Sequence, residues 1–384
     1  MGDSDQRKRF SVGPIVRAVR LTVEKLVAVI AQRVRRAEDD QRAASSRPAT
    51  VEQQPGESDA DKQRALELQE ARRVERGIAF SDLKKTDRLP SPGATVLKIM
   101  QLVQEGTRDA TDLRELVESD PALVATLLKY VNAAWKRPVD RIDSIDVAIA
   151  RIGQEKLSML ALCFWLGSKF RTGDCVGFDY DSYWAESSLR ATAARFFIDP
   201  SWKDVAFTAG LLSQIGRLAF ATAVPHQYTA LLKSPGASHV DALLELERTT
   251  FGIDHCELAA EMVGDWGMSE YVRQAILFQR DQTILDPMTR EYKLADVLRM
   301  TSLIWDICEA PSSIARSNLA RVIELANQRR LQCVSDAFDD IVEEWTDVSS
   351  WFGVTTPSVP PWNVIYGDGA LSDETGRRAQ SEML

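Results

Sequence analysis

Between about residue 80 and residue 352, apolar side chains recur every three or four positions and almost never in strict alternation. That period matches the turn of an α-helix and not the two-residue repeat of a strand. The segment from Asp120 shows the pattern in full. Asp120-Pro121 supplies an N-cap followed by proline at the first helical position, and Leu123, Val124, Leu127, Leu128 and Val131 then mark one buried face. Repetition of such segments leaves one architecture, an all-α, multi-helix domain over residues 81–352. A chain of 384 residues, 45% of them hydrophobic, can bury a core of that size.

The flanks read differently. In residues 1–36, Val16, Val19, Val23, Leu26, Val27, Ile30 and Val34 fall on one helical face, while Arg17, Arg20, Arg33, Arg35 and Arg36 lie elsewhere. This predicts a separate basic amphipathic helix, suited to a protein partner or to weak contact with an anionic membrane surface. A valine face without Trp or Phe anchors favours helix packing. Residues 37–63 hold almost no large apolar side chains and are expected to form a disordered linker, followed by a short charged helix at 64–76 that completes the 37–80 connection. Residues 353–384 mix Pro, Gly and charge and are expected to be a flexible tail.

Charge and cysteine usage narrow the function classes. The arm at 1–36 carries +6, so the rest of a chain with net charge −9 carries −15. An acidic body repels a phosphate backbone, which argues against nucleic acid as the main ligand. No charge-free stretch long enough to span a bilayer and no signal-peptide core stand out, so a cytoplasmic protein is expected, peripheral to the inner membrane if the arm engages lipid. Cys163, Cys175, Cys256, Cys308 and Cys333 are odd in number and scattered, and are expected to be reduced thiols, mostly buried.

The most apolar stretch contains GLLSQIG, Gly210 to Gly216, where Ser213 and Gln214 interrupt an otherwise oily helix. Arg217 follows one turn after Ser213, on the same side as Gly210, Ser213 and Gln214. Phosphate-loop, H-E-x-x-H and G-x-S-x-G signatures are absent. Of three histidines, His226 and His239 adjoin Pro and Gly in loop-like surroundings and read as surface groups.

Six segments, in order, carry a family resemblance: LPSPGATVLKIMQLV from Leu89, ESDPALVATLLKYVNAAW from Glu118, SIDVAIARIG ending at Gly153, YWAESSLRATAA from Tyr183, GLLSQIGRL from Gly210, and LERTTFGIDHCELAAEMVGDWGMSE from Leu246. Together they resemble the HDOD family, bacterial helical domains related to HD-type metal phosphohydrolases and generally regarded as non-catalytic signalling modules. An HD phosphohydrolase holds divalent metal with a His, an adjacent His-Asp pair and a later Asp, and the metal activates water. The resemblance places the first His at Glu186, the pair at Ser213 and Gln214, and the late Asp at Asp296. A hydroxyl and a carboxamide are poor replacements for imidazole and carboxylate, which implies a relic metal site, no bound metal or cofactor, and no enzyme activity.

In that relic, Arg217 and Gln214 are expected to bond to Glu186 and Asp296. His255 matches a histidine that the family often retains. It reads either as a core histidine fixing a helix start beside an Asp254 cap, or as a residual metal ligand with Glu186 and Asp296. The paired histidines usual after the Trp-Gly segment are Phe278 and Gln279 here. Asn132 is expected to cap or bridge backbone at a helix end, and Trp135, Trp165, Trp184 and Trp266 to act as core wedges. The leading function is a regulatory protein working through protein–protein contact. The alternatives are a metal-dependent phosphohydrolase or phosphodiesterase using Glu186, His255 and Asp296, and a peripheral membrane scaffold anchored by residues 10–36.

Overall fold

The computed structural model describes residues 59–104, 110–134, 141–281, 285–326 and 328–366. The expectations for the 1–36 helix (Val16, Arg17, Val19, Arg20, Val23, Val27, Ile30), for linker residues 37–58 and for Trp135 lie outside the described residues. Those described contain helices and no strand.

A leading helix, α1 (Asp59–Lys84), is followed by α2 (Ala94–Gln104), α3 (Ala110–Glu118), α4 (Pro121–Ala134), α5 (Ile145–Ile152) and α6 (Gln154–Lys169). The second half of the fold holds α7 (Tyr180–Ala194), a 3-10 turn at Pro200–Trp202, α8 (Lys203–Leu212), α9 (Ile215–Ala223), α10 (Pro225–Leu232), α11 (Val240–Phe251), α12 (His255–Asp265) and α13 (Glu270–Leu277). Three more helices close it: α14 (Arg290–Glu309), α15 (Ser313–Ala326) and α16 (Gln328–Trp351). Asn132 bridges α4 to the next segment as expected, with its amide donating to Leu128 O at 2.8 Å and Ile142 O at 2.9 Å while its oxygen accepts from Ile142 N.

The centre of the molecule is α7, where every side chain from Tyr183 to Ala194 is buried. α8, α14 and α16 pack around it. Small residues make that possible, because Ala185, Ser187, Ser188, Ala191, Ala193 and Ala194 let neighbouring backbones approach closely. Trp184 is buried and stacks on Phe352 with ring centroids 5.4 Å apart, and its indole N–H donates to Phe170 O at 2.9 Å. Trp266 is likewise buried, and Trp165 is half-buried against Phe170.

Two close crossings fix the middle of the fold, and both lie in GLLSQIG. A Cβ on Gly210 would stand 2.5 Å from Arg190 O of α7, and one on Gly216 would stand 2.0 Å from His255 O of α12. Only glycine permits these approaches. Between them the chain breaks: α8 ends at Leu212 and α9 begins at Ile215, with Ser213 and Gln214 in the corner. Pro200–Ala223 is apolar and long enough to cross a membrane by length and composition, yet 83% of its window is buried within the domain.

Two expected boundaries move. The short charged helix of 64–76 is the 26-residue α1, rich in helix-forming Ala, Gln, Glu, Lys and Arg and docked on α12. Arg72 donates to Glu257 Oε1 at 3.0 Å and Lys84 meets Asp265 at 2.6 Å. The expected tail also begins later than 353. Phe352, Val354, Trp362 and Ile365 are buried, Trp362 N donates to Asp339 Oδ1 at 2.8 Å, and Trp362 packs between Phe338 and Tyr366. Prolines break the helical period there, but widely spaced apolar anchors keep the segment on the domain.

Gly216→Ala tests the tighter crossing. The added methyl meets backbone that cannot swing aside, and we expect a loss of about 3 kcal/mol or more in urea unfolding. A loss below about 0.5 kcal/mol would mean that α9 and α12 do not meet as described.

Candidate functional site

The break at Ser213 and Gln214 opens one side of the core. A cleft of about 370 Å3 lies there, walled by Glu186 and Arg190 of α7, Gln214 at the corner, Arg217 of α9, His255 at the start of α12, Arg280 beyond α13, and Ser302, Trp305, Asp306 and Glu309 of α14. Ser182, Ala237, Ser238, Val240 and Leu243 form its remaining rim.

Glu186 is the hub. Its carboxylate is 6% exposed and accepts from Arg190 Nε and from Arg217 Nη1, each at 2.8 Å. Burial works against the charged form, but the guanidiniums of Arg190 and Arg217 more than offset it and hold the carboxyl below its usual range. The i,i+4 spacing of Glu186 and Arg190 sets them on one face of α7. Arg190 also reaches Ser302 Oγ at 3.0 Å, tying α7 to α14.

His255 forms a second buried pair. Its Nδ1 lies 2.6 Å from Glu247 Oε2, its backbone N–H donates to the same oxygen, and Tyr228 donates to Glu247 Oε1 at 2.9 Å. Burial disfavours a charged ring, but the Glu247 carboxylate and the neighbouring Cys256 outweigh it, and the imidazole is pushed up to about 10. His255 is therefore an imidazolium at neutral pH, with Nδ1 as donor. Asp254 caps α12 as expected, accepting from Glu257 N at 2.8 Å, while Glu257 reaches back to Asp254 N in a capping box.

Ser213 and Gln214 are built into the corner. Ser213 Oγ donates to Gly210 O at 2.8 Å, and Ser213 O accepts from Gln279 Nε2 at 2.9 Å. Gln214 Nε2 faces Gln279 Oε1 at 3.4 Å. The pair thus ends one helix, starts another and receives Gln279, two residues beyond α13. His226 and His239 are exposed, and Cys333 is the exposed thiol beside four buried ones.

Of the residues singled out in the sequence, Glu186, Gln214, Arg217 and His255 line one cleft, and the expected Arg217–Glu186 bond is present. Ser213 is wholly buried behind them. Asp296 is a correction: it does not line the cleft, it lies 3.2 Å from Arg299, and Gln214 bonds elsewhere. The reason is helical phase. Ser302, Asp306 and Glu309 share the cleft face of α14 at spacings of four and three, whereas six residues separate Asp296 from Ser302, about a third of a turn out of phase. The sequence reading also missed Arg190, Glu247, Arg280 and Asp306. Arg190 carried a signal, its i+4 spacing from Glu186. Glu247 and His255 lie on different helices and meet because the left-handed turn at Gly252 folds α12 back on α11.

Asp306 is an exposed side chain at the mouth of the cleft. Partial desolvation against the cleft wall pushes its carboxyl up, with Glu186 and Glu309 adding to the shift and Arg190 and Arg280 opposing it. Among the described residues no group of three or more His, Cys, Asp or Glu side chains could hold a metal ion. The charge of Glu186 is already matched by two guanidiniums, so the donor set does not fit a divalent cation.

Comparison with known proteins places the molecule. Residues 89–282 match the HDOD domain, half of the chain. The chain belongs to the HDOD family. Among solved structures, an HDOD domain protein with unknown function from Geobacter sulfurreducens aligns with a TM-score of 0.55 at 17% identity, covering 73% of this chain and 98% of that one. A candidate phosphohydrolase from Shewanella amazonensis SB2B aligns with the same TM-score at 21% identity, covering 71% of this chain and 98% of that one. At such identities the likeness is one of fold. An uncharacterized protein of Treponema pallidum (strain Nichols) is 24% identical over 222 residues, which span 56% of this chain and 42% of that protein.

Glu186→Gln leaves buried Arg190 without its counter-charge, and we expect it to cost about 3–5 kcal/mol by urea unfolding. Adding Arg190→Met should recover part of the loss. The His255–Glu247 pair also has a pH signature. Because the folded ring titrates near 10 and an unfolded histidine near 6.5, its contribution is complete below about 6.5 and is lost as pH rises toward about 10. His255→Gln should flatten that part of the stability–pH curve, and an unchanged slope would show that the ring is neutral in the fold.

Proposed function

We propose that this HDOD protein is a non-enzymatic regulatory module that acts by binding protein partners. The observation that carries the reading is the state of Glu186, held by Arg190 and Arg217 where the resemblance would put the first metal ligand. Ser213 and Gln214, which the resemblance puts at the positions of the His-Asp pair, bond to backbone and to Gln279. A carboxylate already matched by two guanidiniums, beside a hydroxyl and a carboxamide, is a poor donor set for the divalent cation that would activate water, which supports a non-catalytic reading. A domain of this kind contributes shape and surface instead. The basic helix expected at residues 1–36 would be the docking arm, joined to the domain through α1, and the cytoplasm, at or near the inner membrane, is the compartment that fits a chain of reduced thiols with such an arm.

Metal analysis of freshly purified full-length protein should find no stoichiometric Mn, Fe or Zn, and added Mn2+ should produce no release of phosphate from a phosphomonoester or a phosphodiester. Stoichiometric metal together with phosphate release that disappears in His255→Gln would establish the hydrolase reading instead. In the native host, crosslinking should recover a defined protein partner with the full chain. Arg17→Glu combined with Arg20→Glu should weaken that recovery if the arm docks.

A further inference from the structure

The cleft contains two sets of opposite charge that the protein leaves incompletely matched. On the basic side, Arg190 and Arg280 both reach Ser302 Oγ, at 3.0 and 3.4 Å, so two guanidiniums converge on one hydroxyl. Like charges brought together in this way are unfavourable unless an anion joins them. Glu186 takes only Nε of Arg190, and its Nη1 has no hydrogen-bond partner although the side chain is 5% exposed. Arg217 Nε is unpartnered as well. The other contact of Arg280 is Asp241 at 3.4 Å, whose side chain is 92% exposed and offers a weak match.

On the acidic side, Asp306 and Glu309 face the same space from successive turns of α14. Asp306 has neither a hydrogen bond nor an ion pair through its carboxylate among the described residues. Both side chains are exposed, three residues apart on one face of α14 and near Glu186, so like charges gather at the mouth of the cleft. Arg190 and Arg280 offset only part of this at Asp306, and Arg217 and Trp305 only part of it at Glu309. A cation placed between the two carboxylates would ease that repulsion. Trp305, Val240 and Leu243 supply apolar wall, and about 370 Å3 falls within the roughly 300–1,000 Å3 of small-molecule sites.

We propose that this cleft binds a small zwitterion, its oxyanion held by Arg190, Arg280 and Ser302 and its ammonium by Asp306 and Glu309. A bare anion would leave the carboxylates unrelieved, and a bare cation would leave the guanidiniums crowded. A molecule with both charges a few bonds apart satisfies the two sides together. The two sources of this chemistry are a free α-amino acid and an amino-alkyl phosphate. Binding would draw α7, α14 and the segment after α13 together, which gives the regulatory module an input, although occupancy of the cleft does not depend on which protein the module contacts.

The test is isothermal titration of the full-length protein with the common α-amino acids and with phosphoethanolamine, alongside acetate, inorganic phosphate and methylammonium, which carry one charge only. At least one zwitterion should bind saturably and raise the melting temperature, and the single-charge probes should bind at least about tenfold more weakly, a difference of about 1.4 kcal/mol. Saturation by an amino acid or by phosphoethanolamine identifies the source. Arg280→Gln and Asp306→Asn change partly open side chains at the rim, so the fold should persist, and each should weaken binding at least about tenfold. Absence of saturable binding by every zwitterion overturns the proposal. So does binding of acetate or phosphate as tight as that of any zwitterion and indifferent to Asp306→Asn, which would define a simple anion site. Failure here would leave the regulatory reading standing, whereas bound metal with hydrolysis would remove that reading first.

Discussion

A carboxylate placed at the centre of a helical core must be matched by positive charge, and Glu186 is matched twice. Arg190 comes from the same helix and Arg217 from α9, so the pairing spans α7 and the corner at Ser213. The arginines cannot use all their donors on one carboxylate. Of the remainder, Arg190 Nη2 reaches Ser302 on α14, while Arg190 Nη1 and Arg217 Nε are buried without a hydrogen-bond partner. Buried charge thus decides both how the central helices meet and why a polar hollow persists between them. Replacing the group with packed apolar side chains would cost the fold little, so the retention of a charged cluster at the centre of a largely apolar core is the strongest sign that the hollow has a use.

The two glycines of GLLSQIG make this geometry possible. Gly210 lets α8 lie against the α7 backbone at Arg190, and Gly216 lets α9 lie against α12 at His255. Each contact therefore delivers a cleft residue. The corner between them exposes Gln214 to the cleft and hides Ser213, so a sequence break that suggests lost chemistry also has an immediate structural task. The His255–Glu247–Tyr228 cluster closes the far wall, where an imidazolium is held by a fully buried carboxylate. Outside that wall, α1 brings Arg72 and Arg76 to Glu257 and Glu261, so the segment that leads in from the N-terminal arm rests on the helix whose first residue is His255. Charge matching links the surface contact of α1 to the cleft in one turn of helix.

Much of the molecule was legible because helices announce themselves locally. Asp254 as a cap, Asn132 as a backbone bridge and the Arg217–Glu186 bond follow from spacing and from the order of the six HDOD-like segments. Asp296 was misplaced for a physical reason. α14 is buried on several faces, with Leu294, Ala295, Leu298, Ser302, Trp305 and Cys308 all inside, so its apolar pattern does not show which carboxylate turns toward the cleft. The segment after Phe352 was misjudged because its anchors, Val354, Trp362 and Ile365, have no regular period.

Sequence alone determined the helical class, the segment order, the family and the polar interruption at Ser213 and Gln214, since each depends on neighbours a few residues apart. Tertiary structure alone decided that Arg190, Arg280, Asp306 and Glu309 share one space and that Glu247 holds His255. Those pairings join residues from different helices. Their distances depend on how closely backbones cross and at what rotation, which no local spacing records.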